Sequence, residues 1–289
     1  MVILEANALI IIFNSYINLS FQVNELVEQS EYKNNNLLGK RFSIVIPAYN
    51  EENRIKPVLE EIHNFIAGNN LNWDVIVAVD GEDQTLDIVD SFDSRCGFIK
   101  SNYSTNREGM GGAIRRGILS SDGDFIILMD ADGSTRLQDF VKWGPLLEKY
   151  DIVNFDRYSS KENFIPFKRR VSSRIFNVLL RSIFDIKIND TQCGYKLIKR
   201  ESIEPILKNI TVSNAFFLSA LFIYSRKMGL NIVEIPIKYN YAHGSKFNVI
   251  MTGMSYIVSI TAFRLKNSAF FKYIPNFVKN IYYEKLKFL

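Results

Sequence analysis

Between residues 42 and 156 the chain alternates two hydrophobic patterns. Short, nearly uninterrupted apolar runs occupy Phe42–Pro47, Asp74–Asp80, Phe125–Met129 and Asp151–Phe155. Runs of this length predict strands buried on both faces, as in a parallel sheet covered by helices. The segments between them have a helical beat. Ile55, Val58, Leu59, Ile62, Phe65 and Ile66 predict an amphipathic helix, with Asn50 as its N-cap and Pro47 ending the strand before it. Further helices are predicted over 85–92, 113–119 and up to Leu147, and a third strand near 98–100. Past Asp156 the pattern predicts helices over 168–184, 201–207 and 214–228, a short strand after the polar turn at 190–196, and a strand over 231–237. Strands and helices alternating at short intervals define an α/β fold with a mostly parallel central sheet flanked by helices.

Acids follow several of these strands: Asp80, Asp130 with Asp132, and Asp156. In open parallel sheets ligands bind beyond the carboxyl ends of the strands. Asp130 and Asp132, one residue apart, suit a hard divalent cation that is also held by substrate phosphates. A plainer reading makes Asp132 or Ser134 the cap of the following helix. Acids gathered on one sheet edge repel one another unless cations or donors neutralise them, so the set favours a metal–phosphate site. Gly109, Gly111 and Gly112 lack the third glycine of a dinucleotide motif, which would fall at Ile114. That turn suits phosphate binding or close packing, with packing preferred. Arg107, Arg115, Arg116, Arg157, Arg169, Arg170, Arg174 and Lys246 are cationic candidates that only a motif can sort. With two histidines, His63 and His243, no Ser/His/Asp constellation assembles.

Composition adds three points. The net charge of +4 over 289 residues is too small to imply nucleic acid. The two cysteines, nearly a hundred residues apart, form neither a disulfide framework nor a zinc spacing and fit a reducing compartment. The charge is uneven: residues 249–289 hold six basic side chains, one acid and nine Phe or Tyr. Such a terminus suits an anionic membrane surface, or a helix pair packed on the domain with a solvated basic face. Residues 6–24 are uncharged, but Asn7, Asn14, Asn18, Gln22 and Asn24 make a poor bilayer span, and no signal-peptide layout is present. An interfacial or packed helix is expected there, ahead of a marginal anchor. Three regions result: an N-terminal helix and linker over 1–40, an α/β domain over 41–248 and a basic aromatic tail over 249–289.

Four motifs occur in a recognisable order: Ile46-Pro47-Ala48-Tyr49-Asn50-Glu51-Glu52, Asp130-Ala131-Asp132-Gly133, Asp190-Thr191-Gln192-Cys193-Gly194-Tyr195-Lys196 and Gly244-Ser245-Lys246. Through them the chain resembles the inverting glycosyltransferases of family two, with the GT-A nucleotide-diphosphosugar transferase fold. The likeness covers about Phe42 to Asn248 and is greatest to the dolichyl-phosphate β-glucosyltransferases, sisters of the mannosyl enzymes. It implies transfer of glucose from UDP-glucose to dolichyl (polyprenyl) phosphate; GDP-mannose as donor, or a silent membrane scaffold, are the alternatives. It places Pro47, Tyr49, Glu51 and Asp80 around the base, with Arg107 substituting for a phosphate-binding lysine replaced by Met110. Asp130 and Asp132 would hold Mg2+ or Mn2+ on the donor diphosphate. Arg157, Arg169 and Ser173 would hold the acceptor phosphate, Gln192 and Lys196 the sugar side, while His243 and Lys246 close over the donor. Relatives often carry acids where Leu218 and Ala220 stand, and the Asp80–Thr85 loop is one residue shorter. An ionised phosphate acceptor needs no base. The implied partners are a nucleotide sugar, a polyprenyl phosphate and a membrane surface, with the N- and C-terminal helices membrane-associating and the site facing the cytoplasm.

Overall fold

The computed structural model describes residues 40–160, 163–240 and 249–276. The 6–24 segment, His243, Lys246 and the tail beyond 276 lie outside these residues.

Seven strands form one sheet in the order β3-β2-β1-β4-β6-β5-β7. They are β1 (Phe42–Tyr49), β2 (Asp74–Asp80), β3 (Ile99–Ser104), β4 (Phe125–Leu128), β5 (Ile152–Asp156), β6 (Lys196–Lys199) and β7 (Ile232–Pro236). β1 runs parallel to β2 and β4, and β2 to β3. β6 runs antiparallel to both neighbours, β4 and β5, while β5 and β7 are parallel. Successive side chains on a strand face opposite ways, so one strand feeds two cores. Ile44 and Ile46 join Val75, Val77 and helix α1 (Ile55–Gly68) on one face, where α2 (Thr85–Cys96) also packs. Val45, Ile126 and Leu128 face the other side, against α3 (Gly109–Leu119), α6 (Arg200–Leu207) and α7 (Phe216–Lys227).

Chain order β1 to β3 runs outward on one side of β1, and β4 lies on the other. The crevice beyond the carboxyl ends of β1 and β4 is therefore a topological switch point. Pro47 sits inside β1 rather than ending it. Val45 accepts from Met129 N on the β4 side, and β1 pairs with β4 only up to Val45. Two residues on, Pro47 faces that same side where no partner strand remains, so its missing N–H costs no ladder bond.

Several local expectations are corrected. Asn50 caps no helix: its φ is 54°, and its Oδ1 accepts from Glu82 N at 3.3 Å. Gly81, at φ 109°, leaves room for that contact, since a Cβ there would meet Asn50 Oδ1 at 2.2 Å. Glu51 N donates to Thr85 Oγ1 at 2.9 Å and Glu52 N to the Asp83 carboxylate at 3.1 Å, so the β1–α1 and β2–α2 loops are laced together. The helix expected up to Leu147 breaks into α4 (Leu137–Val141) and a 3-10 turn (Gly144–Glu148). Pro145 explains the break: it has no N–H to give the carbonyl of Val141 four residues back, and it is accommodated instead in the first turn of the new 3-10 segment.

Helix α5 (Phe167–Phe184) packs against α8 (Val249–Lys266). α8 buries Ile260 and Phe263 in the second core.

Candidate active site

A cleft of about 420 Å³ opens at the switch point. Pro47, Tyr49, Glu51, Asp80, Arg107, Asp130, Asp132, Arg157, Arg169, Ser173 and Gln192 all line it. Residues spread over some 145 positions are gathered by the carboxyl ends of β1, β2 and β4, the β3–α3 turn, the β5–α5 loop, α5 and the turn before β6.

Tyr49 and Arg107 form one wall, with the guanidinium 4.1 Å from the ring centroid. Arg107 is held in place from behind. Asp80 accepts from Arg116 at 2.7 Å with one oxygen and from Glu108 N at 2.9 Å with the other. Arg116 also pairs with Glu108 at 2.8 Å. Asp80 thus anchors the Arg107–Glu108 turn while bordering the cleft. Glu51 is similarly engaged, taking two bonds of 2.8 Å from Arg54. The glycine turn packs, as preferred: Gly111 N and Gly112 N both donate to Ser213 O, and a Cβ on Gly111 would meet Phe217 at 2.4 Å.

Asp130 and Asp132 sit at the cleft floor. Burial, then the charge of Asp132, raises the Asp130 carboxyl to about 6, against the pull of Arg157, Lys196 and Arg169. Gly194 makes room for it: a Cβ there would lie 2.0 Å from Asp130 Oδ1. Asp132 Oδ1 accepts from Ser134 N at 2.9 Å. Neither Asp132 nor Ser134 caps the next helix, because α4 begins at Leu137, whose N–H donates to Glu61 at 3.0 Å. Two neighbouring carboxylates, one reluctant to ionise, fit a divalent cation that would relieve their repulsion. Among the described residues no three His, Cys, Asp or Glu side chains converge, so a cation would draw its other ligands from substrate or water.

The opposite wall is cationic. Arg157 is buried and pairs with Asp190 through Nε at 2.7 Å and Nη2 at 2.9 Å. Burial disfavours its charge, but Asp190 more than offsets this and raises the guanidinium pKa. Arg157 lies between Tyr158 and Tyr239, 5.6 and 5.5 Å from their ring centroids. Arg169, Ser172, Ser173 and Phe176 of α5 continue this wall.

Lys196 is a correction. It is 0% exposed and absent from the cleft lining. Tyr195 packs in the first core and Lys196, next in line, faces the second, where its Nζ lies 5.0 Å from the Phe222 ring centroid. Nζ donates to Asn154 Oδ1 at 3.0 Å and to the Cys193 carbonyl. Asp156 likewise stays out of the lining, its carboxylate turned to Tyr158 N at 2.7 Å and to Ser159. Arg54, Ser172, Phe176 and Tyr239 line the cleft without any sequence signal having marked them. Leu218 and Ala220 are buried in the second core, so α7 offers the cleft no base at those positions.

An open α/β sheet with acids at its carboxyl edge facing a cationic wall is the frame of a sugar-nucleotide transferase of GT-A type. The chain belongs to glycosyl transferase family 2, whose profile matches residues 43–207, and it is a glycosyltransferase. The dolichyl-phosphate beta-glucosyltransferase of Homo sapiens is 30% identical over 225 residues, 72% of this chain and 69% of that protein. A Trichomonas vaginalis enzyme of the same name is 28% identical over 224 residues, 72% of this chain and 68% of its own length. Glucosyl-3-phosphoglycerate synthase from Mycobacterium tuberculosis, solved with Mn2+ and UDP-glucose, shares the fold at a TM-score of 0.58. It is 18% identical, and the match covers 80% of this chain and 82% of that one.

Proposed function

We propose that the chain transfers glucose from UDP-glucose to dolichyl (polyprenyl) phosphate with inversion. The relatives' names support the glucosyl group and the dolichyl phosphate acceptor. The observation that carries a lipid over a soluble phosphate acceptor is the two-sided character of α5. One side brings Arg169 and Ser173 into the cleft. The adjacent side exposes Phe167, Val171, Ile175, Val178, Leu179 and Ile183, with Phe167 79% and Ile175 57% accessible. These positions form an apolar stripe at helical spacing, and exposed Lys168, Arg174 and Arg181 flank it. Such a helix suits the surface of an anionic membrane. No described helix is long and apolar enough to cross one. The free cysteines fit a cleft on the reducing, cytoplasmic side.

In this reading the base stacks against Tyr49, with Arg107 above that ring and Asp80 fixing the turn that carries it. Pro47 and Glu51 border the same end. Asp130 and Asp132 hold the divalent cation, Mg2+ or Mn2+, which when bound neutralises charge on the departing diphosphate. Gln192 faces the sugar. Arg157, Arg169 and Ser173 hold the acceptor phosphate by charge-assisted hydrogen bonds. One phosphate oxygen bonds to the anomeric carbon as the bond from that carbon to the UDP oxygen breaks on the opposite face. A phosphate monoester has a second pKa of about 6 and is largely ionised at neutral pH, so no base takes a proton. This agrees with the apolar surroundings of Leu218 and Ala220. His243 and Lys246 are assigned to closure over the donor on the motif alone.

The test is product identification by mass spectrometry, offering UDP-glucose or GDP-mannose as donor and dolichyl phosphate or 3-phosphoglycerate as acceptor. Glucosyl-phosphoryl-dolichol from the first of each pair is expected. Transfer to 3-phosphoglycerate alone, or no transfer in any pairing, overturns the reading.

A further inference from the structure

A single hydrogen-bonded chain passes beneath the cleft from its sugar side to its acceptor side. Gln192 Nε2 donates to Ser219 Oγ at 2.6 Å, and Ser219 Oγ donates to Thr191 Oγ1 at 3.1 Å. Thr191 Oγ1 donates to Asn177 Oδ1 at 2.8 Å. Asn177 Nδ2 donates to the Ser173 carbonyl at 3.0 Å and reaches Ser173 Oγ at 3.4 Å. The two ends line the cleft. The three middle residues are buried and absent from the lining. They join α5, the turn before β6 and α7.

The direction of this chain is set by groups with no choice of role. Thr191 N also points at Asn177 Oδ1, at 3.2 Å, and a backbone N–H only donates. The Ser173 carbonyl only accepts. The Asn177 amide therefore has one orientation. Its oxygen takes the Thr191 proton, so Thr191 Oγ1 accepts from Ser219, which in turn accepts from Gln192. At the other end Ser173 Oγ lies 3.4 Å from Asn177 Nδ2, which can only donate to it, so the serine's own proton is left for another acceptor. A hydroxyl presented as a donor is what an anionic phosphate requires.

We propose that Asn177 is a positioning residue that presents Ser173 as a hydrogen-bond donor to the acceptor phosphate and, through Thr191 and Ser219, holds it in register with Gln192. The proposal rests on the donor and acceptor sides assigned above. A buried asparagine that only satisfies its own neighbours would stabilise the fold without linking the two sides, and a double-mutant cycle separates these roles.

Ser173→Ala, Ser219→Ala and the double variant are compared with the unaltered chain. Transfer kinetics are read as separate KM and kcat values, and binding of UDP and of citronellyl phosphate by calorimetry. Ser219→Ala, which does not line the cleft, is expected to raise the acceptor KM about fivefold with UDP affinity unchanged. The double variant is expected to be no worse than Ser173→Ala alone. Asn177→Leu, of similar volume, is expected to raise acceptor KM by the same factor; the serine cycle decides the matter if that variant does not fold. Serine effects that simply multiply, or a Ser219→Ala acceptor KM within twofold of normal, overturn the proposal. If the unaltered chain fails to transfer glucose while citronellyl phosphate binding still shows the coupling, the functional reading fails and this one stands.

Discussion

Gly194 gives the sharpest single test of the floor of the cleft. A methyl group there would sit 2.0 Å from Asp130 Oδ1 and 2.3 Å from Oδ2 and Cγ. Ordinary van der Waals contact begins at 3.4 Å, so Gly194→Ala requires the carboxylate or its loop to move by more than an ångström. The backbone resists on both sides. The Gly194 loop is tied to Thr135 N through the Tyr195 hydroxyl at 3.0 Å, and Met129 N is bonded to Val45 O at 3.1 Å. A displacement of about 1 Å at a reacting centre costs roughly 100-fold in rate. Overpacking of this kind costs about 1–3 kcal/mol in stability. Gly194→Ala is therefore expected to lower kcat/KM for glucosyl transfer by about two orders of magnitude while the protein still melts cooperatively, a few degrees lower. Initial rates at saturating metal, beside a calorimetric melt, give both numbers. A variant within twofold of normal activity would refute the claim that Asp130 is held where it is by the absence of a side chain at 194.

Asp132→Asn is expected to reduce metal-dependent transfer to near background, and turnover close to normal with Mg2+ or Mn2+ present would show that Asp132 holds no metal. Replacing Phe167 and Ile175 by aspartate removes two exposed apolar groups, each contributing up to about 1.5–3 kcal/mol on burial in lipid. Flotation with anionic vesicles should fall by at least tenfold while UDP binding is unchanged; equal flotation would sink the membrane assignment of α5. Asp130 titrates near 6 in the fold against 3.8 ordinarily, because burial and Asp132 disfavour its charge. Its raised value means a stabilising contribution present below about pH 4 and lost as pH rises through 6, so the metal-free protein should melt lower at pH 7.5 than at pH 5 as far as this group contributes, and Mn2+ with UDP should recover more at the higher pH. Lys196→Met should destabilise the fold by about 1–3 kcal/mol in urea through the loss of its bonds to Asn154 and Cys193 O, with donor KM unchanged because the ammonium lies outside the cleft.

Strands and their terminal acids were readable because both follow from local pattern. An apolar run followed by Asp130-Ala131-Asp132 needs no tertiary knowledge to be placed at a sheet edge. The order of motifs then identified the family. What escaped was set by contacts between distant segments. Asn50 resembles an N-cap in sequence, yet Gly81 in the neighbouring loop leaves free the space its amide fills, where its oxygen accepts from Glu82 N. The family resemblance puts Lys196 on the same wall as Gln192, but strand alternation sends it to the opposite face. Arg54 and Tyr239 reach the cleft from segments with no motif at all. Pro145 was visible, and a strict reading of its missing N–H would have shortened the preceding helix.

If α5 lies on the membrane as proposed, the placement of apolar and cleft-lining residues on its adjacent sides bears on kinetics as well as attachment. An enzyme lying on that helix meets its acceptor by search in two dimensions, and the lipid chain never has to leave the bilayer. The saturation constant for the acceptor then becomes a mole fraction in the membrane, unaffected by bulk volume, whereas the donor keeps an ordinary molar one. Diluting the acceptor with inert lipid at constant total acceptor should slow turnover, and adding buffer should not.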